Sequence, residues 1–171
     1  MIWQGLVQYN MCGELCVCYI GKLSLGTLLT NWQARAVNVW QRVFGSGGRA
    51  RGTDFGELDS MLSVAGFATP SLRLDAGLRD PLLNRPLVTP GRMSRLAQDY
   101  RAIVGVKIDG VTGALRGGGI AHWVVLENVY PDGINRGTVE IYNPFTNTMQ
   151  GYSWPEFATS MGAPYGLWVG R

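Results

Sequence analysis

Histidine is almost missing from this chain: its 171 residues hold one, His122. Any imidazole chemistry therefore falls on a single ring. The three cysteines, Cys12, Cys16 and Cys18, crowd into one short stretch, which is the wrong pattern for a disulfide framework, so reduced thiols are expected. Charge is thin at 16% of residues, with a net +3 that comes from no basic block. The mild arginine density from Arg73 to Arg101 has no nucleic-acid motif beside it, so no nucleic-acid partner is expected. No apolar window reaches membrane-spanning length, and Met1 to Leu6 lacks the basic start and long apolar run of a signal peptide. The expectation is a cytoplasmic protein, one delivered by a dedicated secretion system, or one piece of a longer polypeptide. There is no internal repeat.

What is present is a hydrophobic content of 46%, ample for a globular core and too high for disorder. A chain of 171 residues fits one domain. With Gly 24 and Pro 8, strands and turns are expected rather than a helix bundle.

Along the chain, residues 12 to 20 read as a first helix, with Asn10 as N-cap, Glu14 in the first turn, and Leu15, Cys16, Tyr19 and Ile20 on one stripe. Gly21 and Gly26 bracket a break. A second helix is predicted over Thr27 to Phe44, its apolar face running from Leu28 and Leu29 through Trp32, Ala36, Val39 and Trp40 to Val43. The Gly- and Arg-rich tract 45–52 reads as a connector. Thr53 to Ala65 reads as helix, with Phe55, Leu58, Met61 and Leu62 inward and Gly66 ending it. Residues 67–90 are turn-rich, and Ser94 caps a short helix through Asp99. The second half turns to strands at Ala102–Ile108, Ile120–Val129, Gly137–Tyr142, Met149–Ser153 and Leu167–Gly170, with a helix over Trp154–Met161. Helices followed by an antiparallel sheet make an α+β domain.

Three residues carry chemistry in this order. Cys12 stands at the mouth of a helix, where the dipole favours a thiolate. His122 opens a strong strand after a glycine-rich loop. Asn143 ends the next strand at a proline break, so pairing of the two strands brings its carboxamide toward the imidazole. Cysteine, histidine and asparagine in this arrangement suit a thiol hydrolase, in which the imidazole takes the thiol proton and returns it to the leaving group. The backbone N–H of Cys12 is one oxyanion donor, and the side chain of Gln8 a candidate for the second. Cys16 is the rival nucleophile, but it falls inside the predicted helix. Cys16 and Cys18 lie about 200° apart on an ideal helix, so the thiols cannot converge on one metal ion. No cofactor or metal is expected.

Gln8, Cys12-Gly13, Ala121 to Leu126 and Ile141-Tyr142-Asn143-Pro144 together resemble papain-like cysteine peptidases, most nearly the bacterial C39-like branch. Tyr152 to Phe157 adds to the resemblance, which spans most of the chain. It implies a papain-like fold in which an N-terminal helical half, with the nucleophile at a helix N-terminus, packs on a C-terminal antiparallel sheet. It also implies Cys12 as nucleophile, His122 as general base and acid, Asn143 as orienting residue and Gln8 as oxyanion donor. The family's glutamine usually stands further before the cysteine, which leaves Gln4 a rival. Glu14 replaces the usual small residue after Cys-Gly and sets a carboxylate near the thiol, where it opposes thiolate formation unless it points to solvent or meets a basic group.

The expected substrate is a protein or peptide, cleaved at peptide or isopeptide bonds, in a domain of bacterial effector or toxin type. Such a domain has a parent polypeptide or an immunity or inhibitor protein as further partner. Deamidation or acyl transfer by the same triad is the enzymatic alternative. A catalytically degenerate C39-like domain that binds a peptide is the non-enzymatic one.

Overall fold

The computed structural model of the protein describes residues 11–31, 53–67, 89–108, 114–116 and 122–170. The expected apolar face from Trp32 to Val43, the 45–52 tract, Gln4, Gln8 and Asn10 lie outside them. Among the described residues are five helices and one five-stranded antiparallel sheet, a mixed α and β architecture. The chain divides into two compact units, residues 1–69 with 144–146, and residues 70–143 with 147–171.

The first unit holds α1 (Cys12–Gly21), α2 (Leu25–Asn31) and α3 (Phe55–Val64), with α1 packed against both others. Its first i to i+4 bond, Leu15 N–H to the Met11 carbonyl at 3.0 Å, makes Met11 the N-cap in place of Asn10. Met11 offers no capping side chain. The helix is buried nearly all round, including Gly13, Glu14, Val17 and Cys18, while the expected stripe members Leu15 and Tyr19 are only half-buried. Helices that contact two neighbours lose the one-sided pattern on which a stripe prediction depends. Lys22 then takes a left-handed conformation, and Leu23 N–H reaches back to the Cys18 carbonyl at 3.0 Å. The next helix starts at Leu25 rather than Thr27, because the Ser24 hydroxyl accepts the Thr27 N–H. Gly26 is thus inside α2, not a break. In α3 Asp54 and Glu57 form a reciprocal capping box. Leu58, Met61 and Leu62 are fully buried as expected, and Gly66 at φ +89 closes the helix.

The second unit is built on α4 (Pro90–Asp99), β1 (Tyr100–Val106), β2 (His122–Pro131), β3 (Gly137–Asn143), β4 (Thr148–Ser153), α5 (Trp154–Ser160) and β5 (Met161–Gly170). Its α4 begins four residues before the predicted Ser94 cap. Thr89 caps it, and Pro90 occupies the first turn, where its fixed φ and missing N–H are harmless. The sheet order is β4-β3-β2-β1-β5, all neighbours antiparallel. The closing strand is longer than expected and pairs with β1 through a register irregularity between Val104 and Val106, and β1 runs two residues earlier than the expected Ala102–Ile108. Ile108 is left with a single bridge to Leu115.

Alternation sets the core. Ala102, Val104 and Val106 of β1, Val124 and Leu126 of β2, and Val139 and Ile141 of β3 share one face with Met93 of α4 and Trp154 and Phe157 of α5. Burying each of the larger side chains is worth about 1.5–3 kcal/mol. A bulge between Leu126 and Asn128 lets Val129 rejoin that face, while Glu127 is buried with an ion pair to Arg101 at 2.9 Å.

Among the described residues no single helix is long and apolar enough to cross a membrane; α1 and α2 together have the length and composition but bend by 97° at their junction.

Candidate active site

The apolar stripe of the second unit ends in a polar pair. His122 opens β2 and, by its pairing with Val106, stands on the core face. Asn143 closes β3. The register Val125↔Tyr142, carried one step on, sets Asn143 beside Val124 and diagonal to His122, a relation that long side chains can bridge. They do bridge it: His122 Nε2 and Asn143 Oδ1 are 2.8 Å apart. Asn143 is fully buried and His122 only 5% exposed.

The amide of Asn143 is held from its other side. Its Nδ2 donates to Gln150 Oε1 at 2.8 Å, and the Tyr152 hydroxyl donates to the same oxygen at 2.9 Å. With Nδ2 committed to an acceptor, Oδ1 faces the imidazole and accepts its Nε2–H. That tautomer carries its lone pair on Nδ1. Burial holds the His122 pKa below its ordinary 6.5, against the opposing pull of the Asn143 bond. Burial thus favours the neutral form of the ring.

Cys12 is the first residue of α1, in the other unit, and is 5% exposed. Its position gives the sulfur the positive end of the helix dipole, and the first-turn N–H groups point out of the helix there. Cys16 is fully buried in the body of the helix, and burial first, then Cys12, Glu14 and Cys18, push its thiol well above the usual range. Cys18 is pushed up to about 11 by burial and by Glu14. Both are thus thiols at neutral pH, poor nucleophiles set among packed side chains.

Glu14 neither points to solvent nor stands exposed: it is fully buried, and the Thr53 hydroxyl donates to its Oε2 at 2.6 Å. Gly13, the residue after Cys12, faces the same side chain; a Cβ there would lie 2.8 Å from Thr53 Cβ and 2.9 Å from a Leu58 methyl. The glycine of the Cys-Gly pair is thus a close-packing residue between α1 and the start of α3.

Gln150, Tyr152 and Thr53 have no site role in the sequence reading, in which Tyr152 enters only as part of the resemblance over Tyr152 to Phe157. The signal for the first two was alternation: residues 148, 150 and 152 of β4 share the face of 139, 141 and 143, so a glutamine at 150 opposes Ile141 and lies diagonal to Asn143. Nothing local marks Thr53, which meets Glu14 across 39 positions of sequence.

No group of three or more histidine, cysteine, aspartate or glutamate side chains that could hold a metal ion is found among the described residues. Comparisons with protein-family models, with curated proteins and with solved structures find no match.

Proposed function

We propose that the protein is a thiol hydrolase of the papain-like, C39-like kind, cleaving peptide or isopeptide bonds with Cys12, His122 and Asn143. The observation that supports this most is the buried 2.8 Å bond between His122 Nε2 and Asn143 Oδ1, which sets the tautomer a thiol base requires. The Cys12 proton passes to Nδ1 as the sulfur attacks the carbonyl carbon of the substrate. The resulting oxyanion is held by the Cys12 backbone N–H and, in this reading, by the Gln8 carboxamide. The imidazolium returns its proton to the departing amine, leaving a thioester. Water then gives a proton to the imidazole and attacks the acyl carbon, and the sulfur leaves as the thiol. In each half the imidazolium has two N–H groups, and Asn143 Oδ1 accepts the one on Nε2.

Alkylation by iodoacetamide with peptide mapping tests the assignment without a known substrate. Cys12 is expected to react first at pH 7, and His122→Ala to slow it by about a hundredfold or more, the lower end of what a positioned base contributes. Preferential labelling of Cys16, or a Cys12 rate indifferent to His122, would overturn it. For turnover, Cys12→Ala should abolish modification of a protein target, and the target's intact mass tells the reactions apart. Chain cleavage fits hydrolysis, a gain of about one dalton fits deamidation by the same triad, and no change with intact binding fits a degenerate peptide-binding domain.

A further inference from the structure

We propose that Gln150 is a positioning residue for His122, fixing which end of the Asn143 amide faces the imidazole; its catalytic meaning rests on the peptidase reading, its geometry does not.

The side chains form a directed chain across three strands, from Tyr152 O–H to Gln150 Oε1, from Asn143 Nδ2 to the same oxygen, and from His122 Nε2 to Asn143 Oδ1. An amide has nearly the same shape with oxygen and nitrogen exchanged, so a buried amide takes its orientation from its neighbours. Only two arrangements leave every link matched. In the observed one, Gln150 accepts twice, Asn143 donates to it, and the imidazole proton sits on Nε2. In the other, both amides turn over: Gln150 donates to Asn143 Oδ1, and Asn143 Nδ2 donates to His122 Nε2. The imidazole proton would then have to sit on Nδ1, the nitrogen that must accept the thiol proton. Turning over one amide alone would set two donors or two acceptors face to face across the half-buried link between Asn143 and Gln150.

Within this chain of bonds the orientation of Gln150 is tied to which nitrogen of His122 carries the lone pair. Tyr152 biases it toward the observed arrangement, in which its O–H donates to Gln150 Oε1 at 2.9 Å. Gln150 touches no reacting atom. It works through Asn143.

The test reads the tautomer directly. As the chain has one histidine, a nitrogen-15 spectrum of the whole protein reports His122 alone. Wild type should show the hydrogen on Nε2 at pH 7. Gln150→Glu, an acceptor only, should keep it there. Gln150→Met removes the acceptor and Tyr152→Phe removes the bias; each should raise the Nδ1–H population roughly threefold to tenfold, the equilibrium effect of one hydrogen bond. Alkylation of Cys12 at pH 7 should slow in step in Gln150→Met and recover in Gln150→Glu. Tyr152→Phe loses a single oxygen and serves where Gln150→Met fails to fold. An unchanged tautomer in the folded variants overturns the proposal. An altered tautomer with Cys12 alkylation indifferent to His122 sustains the positioning role and overturns the peptidase reading instead.

Discussion

Asn143→Ala is the most informative single change, because it acts on stability and on one observable proton. The wild-type amide accepts from a His122 ring that is 5% exposed and donates to Gln150. Removing it leaves the imidazole N–H buried without that acceptor, at about 1–3 kcal/mol, and deletes the Asn143–Gln150 bond, at about 1 kcal/mol. Gln150 Oε1 still accepts from Tyr152, so no comparable cost falls on it. The sum is a loss of about 2–4 kcal/mol, against the 5–15 kcal/mol typical of a whole domain. Urea unfolding should show it as a lower midpoint at unchanged slope.

The same variant has a signature that no general destabilisation mimics. The Asn143 bond raises the His122 pKa while burial lowers it. Without the bond, the single-histidine proton titration should move further down. Asn143→Asp restores an acceptor and adds a negative charge, so there the titration should move up. Movement in opposite directions is what the 2.8 Å contact demands. A stability loss below about 0.5 kcal/mol together with an unmoved titration would refute the reasoning, as both outcomes follow from the bonds of the Asn143 amide to His122 and Gln150.

Two further outcomes follow from the same geometry. Gly13→Ala should destabilise by up to about 2 kcal/mol in urea unfolding: alanine favours a helix over glycine by about 1 kcal/mol, but a Cβ 2.8 Å from Thr53 Cβ forces overpacking of about 1–3 kcal/mol against an atom that cannot swing away. A stabilised variant would show that α1 and Thr53 separate easily. Stability should also fall with acid before any carboxylate with a lowered pKa is involved. His122 has a folded pKa below its ordinary 6.5, so the unfolded chain binds the extra proton first. The contribution is complete above pH 6.5 and drains away as pH drops through the folded value. Glu156, held below 4.5 by Ser153, begins to matter only at lower pH. His122→Gln should flatten the profile just under pH 6.5, and a slope that survives there assigns it to another group.

Much of the fold was legible because alternation and punctuation are local. The hairpin of β2 and β3 followed from two β-branched runs around Pro131-Asp132-Gly133, and Gly66 at φ +89 ended α3 where a glycine after the last apolar residue predicts it. Thr89-Pro90 was equally legible as a helix start, and the competing Ser94 obscured it. The stripe on α1 was not legible, since its burial depends on two other helices that periodicity cannot see. At the site, adjacent strands made the His122–Asn143 pair readable. Gln150 required knowing which edge β4 occupies, because its partner lies on β3 by a register no turn residue announces.

Stability gives no reason for polar side chains to stand where they do. The face holding His122 and Asn143 is otherwise Val106, Val124, Leu126, Val139 and Ile141, and apolar residues of similar shape at 122 and 143 would extend that core at no desolvation cost. Each bond of the chain from Tyr152 to His122 returns only about 0.5–1.5 kcal/mol net, while breaking the buried link between His122 and Asn143 costs about 1–3 kcal/mol. A sequence selected for packing alone drifts away from such an arrangement. What the chain does accomplish is directional: it sets the Asn143 carboxamide oxygen against Nε2 of the single imidazole in the protein, at a buried position. A place where the local rule is broken without a local gain in stability is where chemistry is expected. Here the break spans three strands and ends on the single histidine of the chain.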